Sequence, residues 1–211
     1  MMTVRRRGRT NEQKNRMGVN RLKIKIYFCH PIDNEMRKLI TVATAVMMTI
    51  AAFSQEQKVY EHDYLVRIGD EAPDFTVREA GGESYSLSEL RGKVVMLQFT
   101  ASWCGVCRQE MPFIEAEIWK PGKIEGLVVI GIDRDEPEAT VAKFREDMNI
   151  TYPLALDPGA DIFGLYALKE AGVTRNVIID RQGKIIFLTR LFDRQEFDKM
   201  KEVIFSELAS K

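Results

Sequence analysis

Two cysteines, Cys104 and Cys107, stand where an apolar run gives way to a segment with helical spacing. The run, Val94–Thr100, has the composition of a strand that is buried on both faces. Unpaired N–H groups and the helix dipole at a helix start both favour a thiolate over a thiol at Cys104. Cys107 follows one helical turn later on the same face, a spacing that suits a disulfide. The pair therefore predicts reversible thiol–disulfide chemistry.

A Cys-x-x-Cys pair also occurs in zinc sites and as an inert structural bridge. Zinc needs a second pair of ligands, and the remaining soft ligands, Cys29, His30 and His62, lie far upstream. An inert bridge usually closes a longer loop, because the stabilisation grows with the length of the closed loop. Redox chemistry is favoured over both alternatives, and neither a metal ion nor a cofactor is expected.

The net charge of zero hides two parts of opposite charge. Residues 1–54 carry 11 Lys and Arg against 3 Asp and Glu, which leaves 20 against 28, a net charge of −8, for residues 55–211. A length of 211 residues with 45% hydrophobic residues is enough for one globular domain with an N-terminal extension. The acidic charge of the larger part argues against a nucleic-acid partner.

The N-terminal part contains the pattern of a secretory signal peptide at residues 36–54. Met36-Arg37-Lys38 is followed by the uncharged stretch Leu39–Phe53, which ends near small residues. The alternative is an uncleaved membrane anchor, although the apolar stretch is short for a membrane span. Residues 1–35 are expected to be a non-native or cytoplasmic extension, with Met36 as the true start.

Residues 55–65 are predicted to be a linker, and residues 66–211 a single domain. Cleavage of the signal peptide would leave Cys104 and Cys107 as the only cysteines. A pair with no cysteine left over suits an oxidising compartment, so we expect a periplasmic or other extracytoplasmic location. The protein would be membrane-anchored if the signal is not cleaved.

Hydrophobic periodicity and turn residues predict an α/β domain with a mixed central sheet and helices on both faces. An N-terminal β-hairpin precedes it, with a turn at Gly81-Gly82. A brief helix follows, which either Ser86 or Ser88 could start together with Glu89. The predicted strands are Val94–Thr100, Leu127–Ile132, Asn176–Ile179 and Lys184–Leu191, and the predicted helices are Cys107–Ile118 with a kink at Pro112, Pro137–Met148 and Arg194–Leu208.

This order, with Trp103-Cys104-Gly105-Val106-Cys107 after the first central strand, resembles the thioredoxin fold. Ala72–Phe75, Leu87–Lys93 and Asp157-Pro158 resemble more specifically the extracytoplasmic thiol-disulfide oxidoreductases of bacteria. Those proteins are related to cytochrome-c-maturation thioredoxins and, through the AhpC-TSA-related superfamily, to peroxiredoxins. The resemblance covers roughly residues 66–210.

The resemblance implies that Cys104 attacks a substrate disulfide and that Cys107 resolves the mixed disulfide. Trp103 would lie beside the reactive sulfur and contact substrate. Glu110 falls where these relatives place an active-site glutamate, which could take the proton from Cys107. The alternative is that Glu110 only stabilises the first turns of its helix. The implied partners are client proteins with disulfides or thiols and an unidentified electron donor or acceptor, with the protein acting as a monomer.

Three positions depart from the thioredoxin pattern. Gln98 stands where thioredoxins keep a buried aspartate, and Gly105-Val106 lacks the usual proline. Thr174, preceded by Val173, replaces the cis-proline that faces the cysteines. Val173 and Thr174 are still expected to contact substrate, with a trans bond between them, because a cis bond before a residue other than proline costs about 2.5–4 kcal/mol.

Two other functions remain open at this stage. In a thiol peroxidase, Cys104 would become a sulfenic acid that Cys107 resolves, and Arg175 would stabilise the thiolate, as in peroxiredoxins. Leu97 and Ala101, however, occupy the positions of the proline and threonine of the peroxiredoxin signature, and Arg175 could equally be a surface residue at a strand end. The third candidate is a non-enzymatic thioredoxin-like binding module. A thiol-disulfide oxidoreductase is favoured over both.

Overall fold

A computed structural model describes Asn34 and residues 58–80 and 82–210 of the chain. The predicted extension at residues 1–35, apart from Asn34, and the predicted signal peptide at residues 36–54 lie outside the described residues. Both stay predictions. The described part confirms the predicted fold class, an α/β domain with a mixed central sheet.

A two-stranded hairpin precedes a five-stranded sheet. The hairpin strands, β1 (Thr76–Arg78) and β2 (Ser84–Ser86), pair antiparallel as predicted. The brief helix predicted after them is a 3₁₀ turn, Leu87–Leu90, whose first turn is capped by Ser86 and Glu89. The sheet strands are β3 (Val94–Thr100), β4 (Leu127–Arg134), β5 (Leu154–Asp157), β6 (Arg175–Ile179) and β7 (Ile185–Arg190).

The sheet order is β5-β4-β3-β6-β7, which places β3 at the centre. β3 pairs parallel with β4 and antiparallel with β6, and every residue of β3 is buried. Its side chains alternate between two apolar clusters. Val95, Leu97 and Phe99 belong to one cluster, and Val94 and Met96 belong to the other. Both faces of the sheet are therefore covered, which explains the continuous apolar run in the sequence.

Four α-helices of at least four residues accompany the sheet in the described part: α1 (Gly105–Phe113), α2 (Glu138–Met148), α3 (Phe163–Tyr166) and α4 (Arg194–Ala209). α1 starts two residues earlier than predicted and passes into a π-helical segment, Ile114–Trp119, directly after Phe113. Pro112 has no backbone N–H to donate, so regular α-helical hydrogen bonding is interrupted in this turn.

Two short elements, β5 and α3, were absent from the sequence prediction. β5 has only four residues, too few for periodicity to separate it from a loop. Tyr64, inside the predicted linker at residues 55–65, is buried and pairs with Ala167 through an isolated β-bridge. The packed part of the chain therefore begins before residue 66.

Candidate active site

Cys104 and Cys107 form a disulfide at the junction of β3 and α1, with their Cα atoms 5.3 Å apart. Cys104 is the N-cap residue of α1, and its Sγ accepts a hydrogen bond of 3.2 Å from the backbone N–H of Cys107. Cys104 is 7% exposed, whereas Cys107 is 0% exposed. The two sulfurs are thus unequal, and Cys104 combines the helix N-terminus with the greater access to solvent.

Thr174 faces both sulfurs from the loop that leads into β6. Its Oγ1 lies 3.2 Å from the Sγ of Cys104 and 3.4 Å from the Sγ of Cys107. In the disulfide neither sulfur carries a hydrogen, so the threonine hydroxyl is the donor. The side chain that replaces the thioredoxin proline therefore brings a hydrogen-bond donor to the redox centre.

The two other predicted substrate contacts, Trp103 and Val173, differ in exposure. The Trp103 side chain is exposed next to Cys104 in sequence, where a bound substrate could reach it. The Val173 side chain is buried in the apolar cluster that contains both cysteines. A substrate could therefore meet Val173 only through its backbone.

Glu110 is buried on α1, one turn after Cys107. Its Oε1 accepts a hydrogen bond of 2.7 Å from Nδ2 of Asn176, and this nitrogen also donates to Oγ1 of Thr189 at 2.9 Å. Burial raises the pKa of Glu110 to about 7, although the neighbouring Asn176 and Gln98 amides lower it in part. Glu110 thus has the pKa of a group that can exchange protons near neutral pH.

Gln98, at the position of the thioredoxin aspartate, belongs to the same polar group. It is paired with Asn176 across β3 and β6, and its Oε1 accepts a hydrogen bond of 2.8 Å from the Tyr152 hydroxyl. Sequence reasoning singled out Gln98 and Glu110 but missed Asn176, Thr189 and Tyr152. The available signal was an asparagine at the start of an otherwise apolar strand, which needs a buried partner.

Arg175 is not the surface residue that one reading of the sequence predicted. It is fully buried, its Nε donates to the carbonyl of Gly172 at 3.0 Å, and its guanidinium carbon lies 4.5 Å from the centre of the Tyr64 ring. Because its buried cation is stacked on an aromatic ring, Arg175 has a structural role in the packing of the N-terminal segment.

Two acidic residues that the sequence analysis did not single out lie beside the turn that leads into the cysteines. Glu136 accepts hydrogen bonds of 2.6 Å from both the backbone N–H and the hydroxyl of Ser102. Asp133, at the end of β4, is fully buried. Burial raises the pKa of Asp133 to about 8, and the nearby Glu136 carboxylate adds to the increase.

The described residues contain no group of three or more His, Cys, Asp and Glu side chains that could hold a metal ion. Within the same part of the chain, every helix is too short or too polar to cross a bilayer.

Comparison with known proteins relates residues 68–188 to the AhpC/TSA family. The thiol-disulfide oxidoreductase ResA of Bacillus cereus is 31% identical over 141 residues, which are 67% of this chain and 80% of that protein. A solution structure of a proposed protein disulfide isomerase from Bacteroides thetaiotaomicron is 57% identical, with a TM-score of 0.68 over 71% of this chain and 94% of that one. The proposed thiol:disulfide interchange protein DsbE of Chlorobium tepidum is 29% identical, with a TM-score of 0.61 over 68% and 99% of the two chains.

Proposed function

Because this chain belongs to the AhpC/TSA family and is a thiol-disulfide oxidoreductase, we propose that Cys104 is its attacking thiol and Cys107 its resolving thiol. The observation that carries this assignment is the asymmetry of the disulfide. Cys104 caps α1 and is partly accessible, whereas Cys107 lies one turn inside the helix with no exposed surface. A substrate sulfur can therefore approach Cys104 and not Cys107.

In the reducing direction, the Cys104 thiolate attacks a disulfide of a substrate protein, and one substrate sulfur leaves as a thiolate. Cys107 then loses its proton and attacks the Cys104 sulfur, which releases the second substrate thiolate. The substrate gains two electrons, and the Cys104–Cys107 disulfide is formed. A dithiol donor must reduce this disulfide before the next cycle, and the oxidising direction is the reverse of these steps.

Glu110 is proposed to accept the proton of Cys107 during resolution. It lies one turn after Cys107 on the same helix, and its pKa of about 7 allows it to be ionised before the transfer and protonated after it. Gln98 cannot fill this role, because an amide does not ionise. The amide of Asn176 holds the Glu110 carboxylate in place at 2.7 Å.

Substrate proteins are proposed to dock on the rim of the disulfide formed by Trp103, Val173 and Thr174. The exposed indole of Trp103 offers an apolar face next to the accessible sulfur. The Val173–Thr174 backbone is proposed to contact an extended substrate segment by β-strand-like hydrogen bonds.

The location is proposed to be extracytoplasmic, with the signal peptide at residues 36–54 cleaved. Support comes from the leader pattern and from a domain whose only two cysteines form the redox pair. The partners are then envelope proteins with thiols or disulfides, and a membrane or envelope dithiol protein as electron donor or acceptor. The enzyme is proposed to work as a monomer.

Trapping of covalent complexes tests the roles of the two cysteines. We expect reduced Cys107→Ser protein to retain substrate proteins as mixed disulfides on non-reducing gels, because the resolving thiol is gone. Reduced Cys104→Ser protein is the matched control, which should trap none because Cys107 is inaccessible. Equal trapping by both variants would reverse or abolish the assignment.

A further inference from the structure

Thr189 lies on the edge strand β7, directly opposite Asn176 of β6. Side chains at directly opposed positions project from the same face of a sheet, so these two are within reach of each other. Oγ1 of Thr189 accepts a hydrogen bond of 2.9 Å from Nδ2 of Asn176, and the same nitrogen donates to Oε1 of Glu110 at 2.7 Å. Both hydrogens of the amide nitrogen are therefore used, one by Thr189 and one by Glu110.

The amide group of Asn176 is held by its nitrogen and not by its oxygen. An amide can present either atom to a neighbour, but an ionised carboxylate accepts hydrogen bonds only, so the nitrogen must face Glu110. Oδ1 of Asn176 is buried and has no hydrogen-bond partner among the described residues. Loss of the bond to Thr189 would leave the bond to Glu110 as the only support of the amide and one buried N–H without an acceptor. The amide would then turn away from its present alignment.

Thr189 is itself fixed by a contact from the N-terminal segment. Its backbone carbonyl accepts a hydrogen bond of 2.6 Å from the Tyr64 hydroxyl. The guanidinium carbon of Arg175 lies 4.5 Å from the centre of the Tyr64 ring, which holds that ring in turn. The side chain of Thr189 is buried. The hydroxyl oxygen is therefore presented to Asn176 from a fixed backbone and is shielded from water.

The ionised form of Glu110 depends on such neutral donors. Titratable groups from three other elements act on its charge: Tyr64 of the N-terminal segment, Tyr152 just before β5 and Glu196 on α4. All three are neutral or negative, so none of them attracts the carboxylate. The hydrogen bond from the Asn176 amide stabilises the charged form directly, and any loss of its alignment favours the protonated form.

Resting on the proposed function, we propose that Thr189 is a positioning residue for the resolving step. By accepting one hydrogen of the Asn176 amide, it keeps the other hydrogen aimed at the Glu110 carboxylate. Thr189 thereby sets the pH range in which Glu110 is ionised and can take the proton of Cys107. The residue acts through Asn176 and need not contact the reacting sulfurs.

The test variant is Thr189→Val, which replaces the hydroxyl with a methyl group at nearly the same volume. We expect the pH inflection of the resolving step, measured by single-turnover decay of the mixed disulfide, to move up by about one pH unit. The step should then be about fivefold slower at pH 7 and nearly unchanged at pH 9, where the carboxylate is ionised in both proteins. Thr189→Ser keeps the oxygen and should restore the original profile. Thr76→Val makes the same change at an exposed threonine of β1 and is the matched control.

A second measurement separates failure of this proposal from failure of the proposed function. Titration of the Glu110 side-chain carboxyl by NMR in the disulfide form needs no substrate and should show the same upward shift in Thr189→Val. Thr189→Ala removes the same oxygen with a smaller side chain and should shift it likewise. A titration that is identical in both variants and in the unsubstituted protein would overturn the positioning role of Thr189. If the titration shifts but the resolving step does not follow it, Glu110 is not the proton acceptor, and both proposals fail at that step.

Discussion

At the scale of single residues, the buried acid of this chain lies on the helix α1, as Glu110, whereas thioredoxins have a buried aspartate at the strand position that Gln98 occupies here. Gln98 occupies the strand position but is bound to the Tyr152 hydroxyl, and its amide cannot take up a proton. Glu110 approaches the same buried polar group from α1 and is held by Asn176. Moving the acid from the strand to the helix keeps a titratable group near Cys107 without a charge in the centre of the sheet.

We expect Glu110→Gln to slow the resolving step by about 100-fold at pH 8, in the range reported for loss of a general base. In the unsubstituted protein the step should accelerate as the pH rises through about 7, because the Glu110 carboxylate accepts a proton only above its pKa. The variant should lose this inflection. Single-turnover decay of the mixed disulfide between pH 5 and 9 measures both effects.

Glu125→Gln, a substitution of an exposed glutamate, is the control for this experiment. An unchanged pH profile in Glu110→Gln would limit Glu110 to a structural role.

At the scale of elements, the carboxyl ends of β3 and β4 position the cysteines through the turn at Ser102. Glu136, just after β4, holds the backbone and hydroxyl of Ser102. Asp133 is buried in the last part of β4 beside Thr100 of β3. A carboxyl group at this position can be accommodated most easily when it is protonated, because a buried charge without a counterion is costly.

Asp133→Asn is expected to stabilise the protein at alkaline pH. The folded-state pKa of about 8 lies above the ordinary value near 4, so the contribution of Asp133 to stability is complete in acid and is lost as the pH rises through about 8. The variant cannot ionise, and we expect its melting temperature to exceed that of the unsubstituted protein by about 5 °C at pH 9.

Thermal unfolding at pH 5, 7 and 9 measures the difference, which should shrink toward acid pH. If the difference in melting temperature between the two proteins is the same at all three pH values, Asp133 is not protonated in the folded protein.

At the scale of the whole molecule, the sequence divides into a basic N-terminal part and an acidic domain. Removal of residues 1–54 would change the net charge from 0 to −8. We expect protein isolated from its own cell envelope to begin near Gln55. Intact-mass measurement tests this, and a mass that includes residues 1–35 would contradict both the predicted start at Met36 and the predicted cleavage.

The sequence was informative wherever a local pattern determines a local structure. The apolar run of β3, the hairpin of β1 and β2 and the capped turn after Ser86 each follow from a few neighbouring residues. The short strand β5 could not be predicted, because its pairing with β4 is a tertiary contact. Asn176 was missed for the same reason, since its partner Glu110 lies 66 residues away in sequence. Thr189 was missed with it, because its partner is Asn176 on the neighbouring strand.

One of the two interpretations of Arg175, that of a surface residue at a strand end, was wrong for a related reason. A charged residue at a strand end is usually exposed, and here the ring of Tyr64, which covers the guanidinium, comes from a segment that the sequence assigned to a linker. Arg175 and Tyr64 bury each other through this contact, and the local sequence around either residue does not reveal it.

The hydroxyl of Thr174 also bears on the direction of electron flow. It donates to sulfur at 3.2 Å, and a donor binds a negatively charged thiolate more strongly than a neutral disulfide. Together with the N–H of Cys107, it lowers the free energy of the dithiol form more than that of the disulfide form. An oxidoreductase whose dithiol form is stabilised is a stronger oxidant. We therefore expect threonine, relative to proline, to move the equilibrium of this couple toward accepting electrons from substrate thiols.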